Sequence, residues 1–383
     1  MYAIILAGGY GKRMNSPLPK VLHRINGLPM IKRIVNQFKK AVVVVEKIIV
    51  VVNPSNHELI AETLSDMSDI EYVVQNNPRG TGHAVQEVLK TFSYHGDIIV
   101  CCGDMPLIHH EVITQLITSC NKAFGFIAFH KNDPTGYGRV IQSYEKTEII
   151  EEKDCTDEQR LVTLVNSGIY LFPCGALEKI IHNLTPNNAQ NELYLTDAVI
   201  LLQQEGLQCN VHILPHQMSY MMEGVNSRKD LNRLEEIFYQ PCELLQNNPQ
   251  ISLQDIIHLL QHLTTAPYNP EKLEHRFKEL IQLYPYIQIY VIYHPLTGLM
   301  ALGTLMIEPK LIHDCGKVGH IEDVVVHPYF RREGLGSQII EHLVSKAKQE
   351  GCYKVVLDAA PHNRSFYCHL GFVTKENHYE KRF

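Results

Sequence analysis

Long apolar runs are missing from this sequence. The longest, Ala41 to Val52, is interrupted by Glu46 and Lys47 and falls short of the about 20 residues that span a bilayer. Met1 to Ala7 is apolar but lacks the basic start and the length of a signal peptide. An excess of positive charge is missing too. Thirty-five basic residues face forty-one acidic ones, for a net charge of −6, which argues against a nucleic-acid coat or a polybasic membrane anchor. The ten cysteines (101, 102, 120, 155, 174, 209, 242, 315, 352 and 368) include no Cys-x-x-Cys pair, so zinc ribbons and thioredoxin-type sites are excluded. They read as small buried hydrophobes of a reducing compartment. No internal repeat and no low-complexity segment is present. A soluble, cytoplasmic protein is expected, with neither nucleic acid nor membrane as a partner.

What is present is globular. Hydrophobic residues make up 45% and charged residues 20% of 383 positions, and at roughly 150 residues per domain that length suggests two or three domains. Apolar strand patterns at Tyr2–Leu6, Lys47–Val52, Glu71–Val74, Asp97–Cys102 and Ala123–His130 alternate with helical patterns at Met30–Lys40, Ala84–Thr91 and Glu111–Cys120. Such alternation predicts an α/β domain with an open, mostly parallel sheet, whose ligands bind at the carboxyl ends of the strands. The pattern weakens after Arg228. Lys229–Tyr239 is helical in pattern and Asn247-Asn248-Pro249 marks a turn. A second set follows, with helices at Leu253–Leu263 and Leu335–Glu350 and strands at Ile287–Tyr293, Met300–Ile307, Ile321–Val326 and Lys354–Leu357. The domains are therefore placed at 1–232 and 240–383. His258 and His262 have metal-ligand spacing but no adjacent acid, and are not expected to bind metal. His109 and His110 read as loop residues.

The first strand runs into Leu6-Ala7-Gly8-Gly9-Tyr10-Gly11-Lys12-Arg13. Glycines let backbone N–H groups approach phosphate oxygens. The order is neither a Rossmann fingerprint nor a Walker loop. Together with Leu18-Pro19-Lys20, Gln75, Gly80-Thr81-Gly82-His83, Gly103-Asp104-Met105-Pro106, Pro134-Thr135-Gly136-Tyr137-Gly138-Arg139, Asn166-Ser167-Gly168, Tyr194-Leu195-Thr196-Asp197 and Gly224-Val225-Asn226, it resembles the sugar-1-phosphate nucleotidyltransferases. The nearest likeness is the uridylyltransferase half of the bacterial bifunctional N-acetylglucosamine-1-phosphate enzyme, over residues 1 to about 230. The resemblance implies a Rossmann-like fold and the following roles. Leu6, Ala7, Gly8 and Gly9 hold the uridine phosphates, and Gln75, Gly80 and Thr81 read the uracil. Arg13 and Lys20 stabilise the triphosphate and the leaving pyrophosphate. Asp104 and Asn226 hold Mg²⁺. Gly138, Glu151, Asn166 and Tyr194 contact N-acetylglucosamine. Gly8 is a departure, since the bacterial enzymes usually carry alanine there; this leaves the nucleotide and the hexosamine open to alternatives.

After residue 230 the bacterial hexapeptide repeat is absent. Ile321 to Pro328 reads as a buried strand and turn, followed by Arg331-Arg332-Glu333-Gly334-Leu335-Gly336-Ser337 opening a helix, an arrangement whose N–H groups suit a pyrophosphate. This loop resembles the acetyl-CoA loop of the GNAT superfamily. Gly319-His320-Ile321-Glu322-Asp323, Leu357-Asp358, Asn363 with Phe366-Tyr367, and Lys381-Arg382-Phe383 resemble the eukaryotic glucosamine-6-phosphate N-acetyltransferases. The resemblance implies a mixed sheet and an acetyl-CoA site built from Val324, Val326 and Arg331 to Ser337. It implies that Glu322 and Asp323 face the acetyl group and amine. Asp358 positions or deprotonates the amine, and Tyr367 protonates the departing thiolate. Thr264, Lys310, His313, Tyr353 and Lys354 are implied sugar-phosphate contacts, and Arg382 reaches the phosphate from a partner subunit, making a homodimer. The combined expectation is a bifunctional enzyme of UDP-N-acetylglucosamine biosynthesis, using UTP and acetyl-CoA as co-substrates. Glucosamine-1-phosphate is the alternative acetyl acceptor. A binding protein that has lost catalysis is the rival of another class, disfavoured by the intact Asp104/Asn226 and Asp358/Tyr367 pairs.

Overall fold

The computed structural model describes residues 1–41, 45–120, 123–144, 146–264 and 269–375. The chain divides into two compact units, Met1–Glu235 and Glu236–Phe383. Both are α/β.

The first unit is built on strands β1 (Tyr2–Leu6), β2 (Lys47–Val52), β3 (Ile70–Val74), β4 (Ile98–Cys102), β5 (Phe124–His130), β6 (Leu164–Phe172) and β7 (Cys209–Ile213). They lie side by side as β7-β5-β6-β4-β1-β2-β3. Neighbours are parallel except that β6 runs antiparallel to both β4 and β5. A hairpin, Arg139–Gln142 with Thr147–Ile150, extends the sheet from β6. Ile4, Val51, Val100 and Phe126 share a core with Val85 and Val88 of helix Thr81–Thr91 and with Val199 and Leu202 of helix Asp197–Gln204. The intervening residues Ile5, Val50 and Ile99 are equally buried, so the sheet is covered on both faces, as a parallel sheet requires.

Helix Met30–Lys40 follows its sequence pattern closely. Met30, Ile34 and Phe38, with Ile31 and Val35, form one buried stripe, and Lys39 and Lys40 sit in the last turn, where the helix dipole favours cations. Arg33 is buried beside that stripe. Its Nε donates to the Pro106 carbonyl at 3.1 Å and its Nη1 to the Ile25 carbonyl at 3.3 Å, which ties down the chain just past Asp104.

The second unit has a sheet of Cys242–Leu244, β8 (Ile287–His294), β9 (Gly298–Pro309), β10 (Lys317–Val326) and β11 (Cys352–Val356), in that order. All pairs are antiparallel except β10 with β11, a mixed sheet. Helix Leu335–Gln349 buries Leu335, Ile339, Ile340, Leu343 and Ala347. It comes so near the sheet that a Cβ on Gly303 would lie 2.9 Å from Leu343. β10 and β11 stay paired only as far as His320 opposite Val356. Beyond that point they separate and a cleft opens.

Several sequence expectations need correction. Lys229–Tyr239 is an α-helix only over Arg228–Glu235 and then tightens to a 3-10 turn. Leu253–Leu263 ends its helix at Leu260. The strand read at Lys354–Leu357 is Cys352–Val356. His110 opens a helix and His109 is buried before it, so neither is a free loop residue. The cysteines are not uniformly buried. Cys101, Cys120 and Cys155 are, whereas Cys174, Cys315 and Cys368 are exposed. No helix among the described residues is long and apolar enough to cross a membrane. Lys381, Arg382 and Phe383 lie outside the described residues.

Candidate active sites

The Gly-rich loop leaves β1 at the carboxyl edge of the sheet, where Leu6 faces Val51 and Cys102. Two buried asparagines just past β2 hold it. Asn56 donates to the Ala7 carbonyl and Asn53 to the Gly8 carbonyl, both at 2.9 Å. Tying back these carbonyls fixes the loop, and the Ala7 N–H is likewise held by the Val51 carbonyl at 2.8 Å; the glycine N–H groups that follow are the ones suited to meet an anion. Sequence reasoning missed this pair. Its signal is the cluster Asn53-Pro54-Ser55-Asn56 directly after a buried strand, which folds on itself through Asn53 and Asn56 side chains.

Gln75 is buried beside this loop. It donates to the Gly80 carbonyl at 3.2 Å and meets His83 Nδ1 at 2.8 Å. A Cβ on Gly8 would come within 3.0 Å of Gln75 Oε1, so alanine there displaces the amide tip by a few tenths of an ångström. Gly80 has φ +103, and a Cβ on it would strike the Leu193 carbonyl at 2.5 Å. Only glycine fits. The Thr81 hydroxyl accepts from Leu195 N–H at 3.0 Å, which docks the 192–197 segment onto the start of helix Thr81–Thr91.

Four residues predicted for the phosphates and metal converge. Lys20 Nζ contacts Asp104 Oδ2 and lies 3.3 Å from Asn226 Oδ1, which also accepts from Arg13 Nη2 at 2.9 Å. Backbone brings the two acceptors together, since Val225 N–H donates to the Asp104 carbonyl at 2.8 Å. Asp230 then fixes Asn226 by accepting its N–H at 3.0 Å. The Asp104 carboxylate and the Asn226 amide oxygen thus address one cation, the Lys20 ammonium. A hard divalent metal keeping several waters suits that pair of oxygens.

The predicted sugar residues also meet. Asn166 N–H donates to the Gly138 carbonyl at 2.9 Å, and a Cβ on Gly138 would lie 3.6 Å from Glu151 Oε2. Asn166 donates to the Tyr170 hydroxyl at 2.6 Å. Glu151 accepts from Thr196 at 3.2 Å. Burial raises the Glu151 pKa, and burial together with Asp154 pushes Asp197 up to about 6. Tyr194 is buried close by, its hydroxyl pushed up to about 12 by burial.

In the second unit a cavity of about 620 Å³ fills the cleft between β10 and the chain after β11. Its walls include Glu322, Asp323, Val324, Val326, Arg331, Asp358 and Tyr367. Asp323 has φ +51 at a bulge where Asp323 and Val324 together face Gly303, an extra residue that re-aims the strand's side chains. Burial raises Glu322 first, then Asp323 and Asp358 add to it; burial also raises Asp323 and Tyr367. Arg331 folds back onto the Val326 carbonyl at 3.1 Å. Gly334, at φ +93, turns the chain into helix Leu335–Gln349, so the N–H groups of Leu335, Gly336 and Ser337 form an open helix N-terminus beside Arg332 and Glu333.

Other predicted contacts stand apart from that cavity. Lys310 pairs with Glu308 at 2.5 Å, and Glu308 with His320 at 2.8 Å. The His313 ring lies 4.5 Å from that of Tyr353, over which Lys354 Nζ sits at 5.7 Å. Thr264 follows the wall residue Leu263 without itself lining the cavity. Arg382 lies outside the described residues.

A glycine-rich loop at a strand end, with clustered cations and two metal-type oxygens, defines a nucleotidyltransferase site; the parted strands define an acyltransferase site. Residues 3–166 match the MobA-like NTP transferase domain and residues 253–372 the acetyltransferase (GNAT) family. A probable UDP-N-acetylglucosamine pyrophosphorylase of Acanthamoeba polyphaga mimivirus is 38% identical over 246 residues, 62% of this chain and 96% of that protein. The bifunctional protein GlmU of Neisseria meningitidis serogroup B is 38% identical over 247 residues, 63% of this chain, but the match spans only about half (53%) of the relative. A crystal structure of glucosamine-6-phosphate N-acetyltransferase from Arabidopsis thaliana shares 37% identity over 35% of this chain and 95% of its own, with a TM-score of 0.33. The chain belongs to the MobA-like NTP transferase family through its first unit and carries a GNAT acetyltransferase domain in its second.

Proposed function

We propose that the chain carries two steps of UDP-N-acetylglucosamine synthesis. The first unit transfers a uridylyl group from UTP to N-acetylglucosamine-1-phosphate. The second transfers acetyl from acetyl-CoA to glucosamine-6-phosphate. The observation that carries the first reading is the convergence of Arg13, Lys20, Asp104 and Asn226. In the reaction a sugar-phosphate oxygen attacks the α-phosphorus of UTP, the bond to the β-phosphate oxygen breaks, and pyrophosphate leaves. Arg13 and Lys20 draw two anions together and hold the charge that builds on the leaving group. Mg²⁺ bound at Asp104 and Asn226 would add a Lewis acid that neutralises phosphate charge. Gln75 and the backbone at Gly80 and Thr81 orient the base, and Gly138, Glu151 and Asn166 orient the sugar.

In the second unit the amine attacks the thioester carbonyl and the carbon–sulfur bond breaks. Asp358 takes a proton from the amine and Tyr367 gives one to the thiolate. Partial burial raises the Tyr367 pKa, which keeps the hydroxyl protonated, as a donor must be. Glu322 and Asp323 suit an ammonium substrate. Among the wall residues Arg331 is the one permanent cation, so the acceptor's phosphate needs charge from elsewhere. We infer a homodimer that brings it, with Arg382 as the donor. Two observations support a partner: among the described residues β11 is an edge strand, and helix Arg364–His369, which carries Tyr367, has no buried residue. Specific acetyl-transfer activity should fall on dilution through the dimer's dissociation range while uridylyl transfer does not; activity constant to high dilution would remove the dimer. The cysteines form no disulfide, which supports a cytoplasmic enzyme. The test of function is product identification by mass spectrometry. UTP, N-acetylglucosamine-1-phosphate and Mg²⁺ should yield UDP-N-acetylglucosamine and pyrophosphate; no product with this pair, but turnover of another sugar phosphate, would replace the substrate assignment.

A further inference from the structure

The helix Leu253–Leu260 carries His258 near its end, and His262 follows in the next turn. From the sequence these two lacked a third ligand. The fold supplies one, because β10 ends at Val326 and places His327 against them. One ligand atom from each ring lies within 4.8 Å of the others. Ring centroids are 5.5 Å apart for His258 and His262, 5.1 Å for His262 and His327, and 6.0 Å for His258 and His327.

We propose that His258, His262 and His327 bind a transition-metal cation of the Zn²⁺ class, at a site on the rim of the second unit's cavity, where His262 is also a wall residue. Three neutral imidazoles are a zinc-type donor set, leaving a fourth tetrahedral position for water. A hard cation such as Mg²⁺ prefers oxygen and would not compete here. Nitrogens bound to one zinc ion sit about 3.3 Å apart, given bonds of about 2.0 Å. The cluster is looser than that, and the exposed ring of His258 can turn to close it, while the half-buried His327 stays as the anchor. His327 Nδ1 accepts from Tyr329 N–H at 3.3 Å. Coordination gives up that long bond: either the metal takes Nδ1, or it takes Nε2 and the proton moves to Nδ1. Arg331, whose Nη2 donates to the His262 carbonyl at 3.4 Å, opposes the ion and moderates its affinity.

This inference does not rest on the proposed reactions, because ion binding is read without either substrate pair. The full chain, stripped with a chelator, is titrated with Zn²⁺ against a chromophoric competitor. Wild type should take up one equivalent that His258→Gln and His327→Gln bind at least about 10-fold more weakly, whereas His109→Gln, in a second histidine group, binds as wild type does. Far-UV circular dichroism checks folding, and the exposed His258 gives a variant that keeps its fold if His327→Gln does not. Co²⁺ in place of Zn²⁺ should give ligand-field bands of a nitrogen-bound tetrahedral ion. Equal affinity in wild type and His258→Gln, or thiolate charge-transfer bands from Co²⁺, would overturn the site.

Discussion

The two units brace their candidate sites to different degrees. In the first, each polar group of the site is braced by its own unit. Asn53 and Asn56 lock the Gly-rich loop, Arg33 ties down the turn past Asp104, and Asp230 fixes Asn226. In the second, acids crowd a cleft between parted strands, and the helix that carries Tyr367 has no buried side chain. A parallel sheet covered on both faces makes a preorganised site by itself. A mixed sheet whose last strand is an edge among the described residues presents backbone groups that another segment or chain can cover.

Asp104→Ala should separate the two units most strongly. Losing the carboxylate that faces Lys20 and Asn226 should lower uridylyl turnover by about 10²-fold or more and leave acetyl transfer unchanged. Rates measured for both reactions on one preparation decide it, and a parallel fall in both would mean that the units are not independent. Tyr367→Phe should do the converse and to a smaller extent. A thiol of pKa about 8.5 makes the thiolate a tolerable leaving group, so acetyl turnover should drop by about 10²-fold or less. Acetyl-CoA affinity should hardly move, because the hydroxyl matters as charge develops on sulfur. Ping-pong kinetics or a trapped acetyl-cysteine would contradict direct transfer.

The smallest expected effect concerns stability. Asp197 is pushed up to about 6, first by burial and then by Asp154. An acid whose folded pKa is raised stabilises the fold when protonated, below about pH 4, and that contribution is lost as pH rises through about 6. Asp197→Asn should therefore be more stable than wild type above pH 6, by about 1 kcal/mol after allowing for its partial exposure and its place in a helix's first turn. The gain should vanish near pH 4. Denaturant unfolding at both pH values measures it, and a gain that persists at low pH would contradict the cause.

Where the chain obeys local rules, its structure was legible. The stripe of Met30, Ile34 and Phe38 marked a helix, and the unbroken run Lys47–Val52 marked a buried strand. β6 was not seen as a strand, because Asn166-Ser167-Gly168 interrupts its apolar run. That interruption is also where the ladder with β5 slips. The polar side chains there bond within the strand itself, Asn166 to Tyr170 and Gly168, and Ser167 to Ile169, whereas the Asn166 N–H reaches distant chain, at Gly138. Helix Pro270–Leu283 was missed although Asn269 caps it through a bond from Lys272 N–H. The clustering of Arg13, Lys20, Asp104 and Asn226 followed from motif resemblance rather than from spacing. Arg33, Asn53, Asn56 and the bulge at Asp323 were hidden, since each acts through a backbone group whose position only the folded chain sets. His327 is the same case: nothing in its sequence neighbourhood points to His258 and His262.

If, as proposed, the two units act on different phosphate positions, they cannot run in sequence on one substrate. The most direct test incubates the pure protein with glucosamine-6-phosphate, acetyl-CoA, UTP and Mg²⁺, with products read by mass spectrometry. N-acetylglucosamine-6-phosphate should accumulate, and UDP-N-acetylglucosamine should form only after an enzyme that moves phosphate from the 6- to the 1-position is added. If the protein alone acetylates glucosamine-1-phosphate efficiently and carries it through to UDP-N-acetylglucosamine, the acceptor assigned to the second unit is wrong.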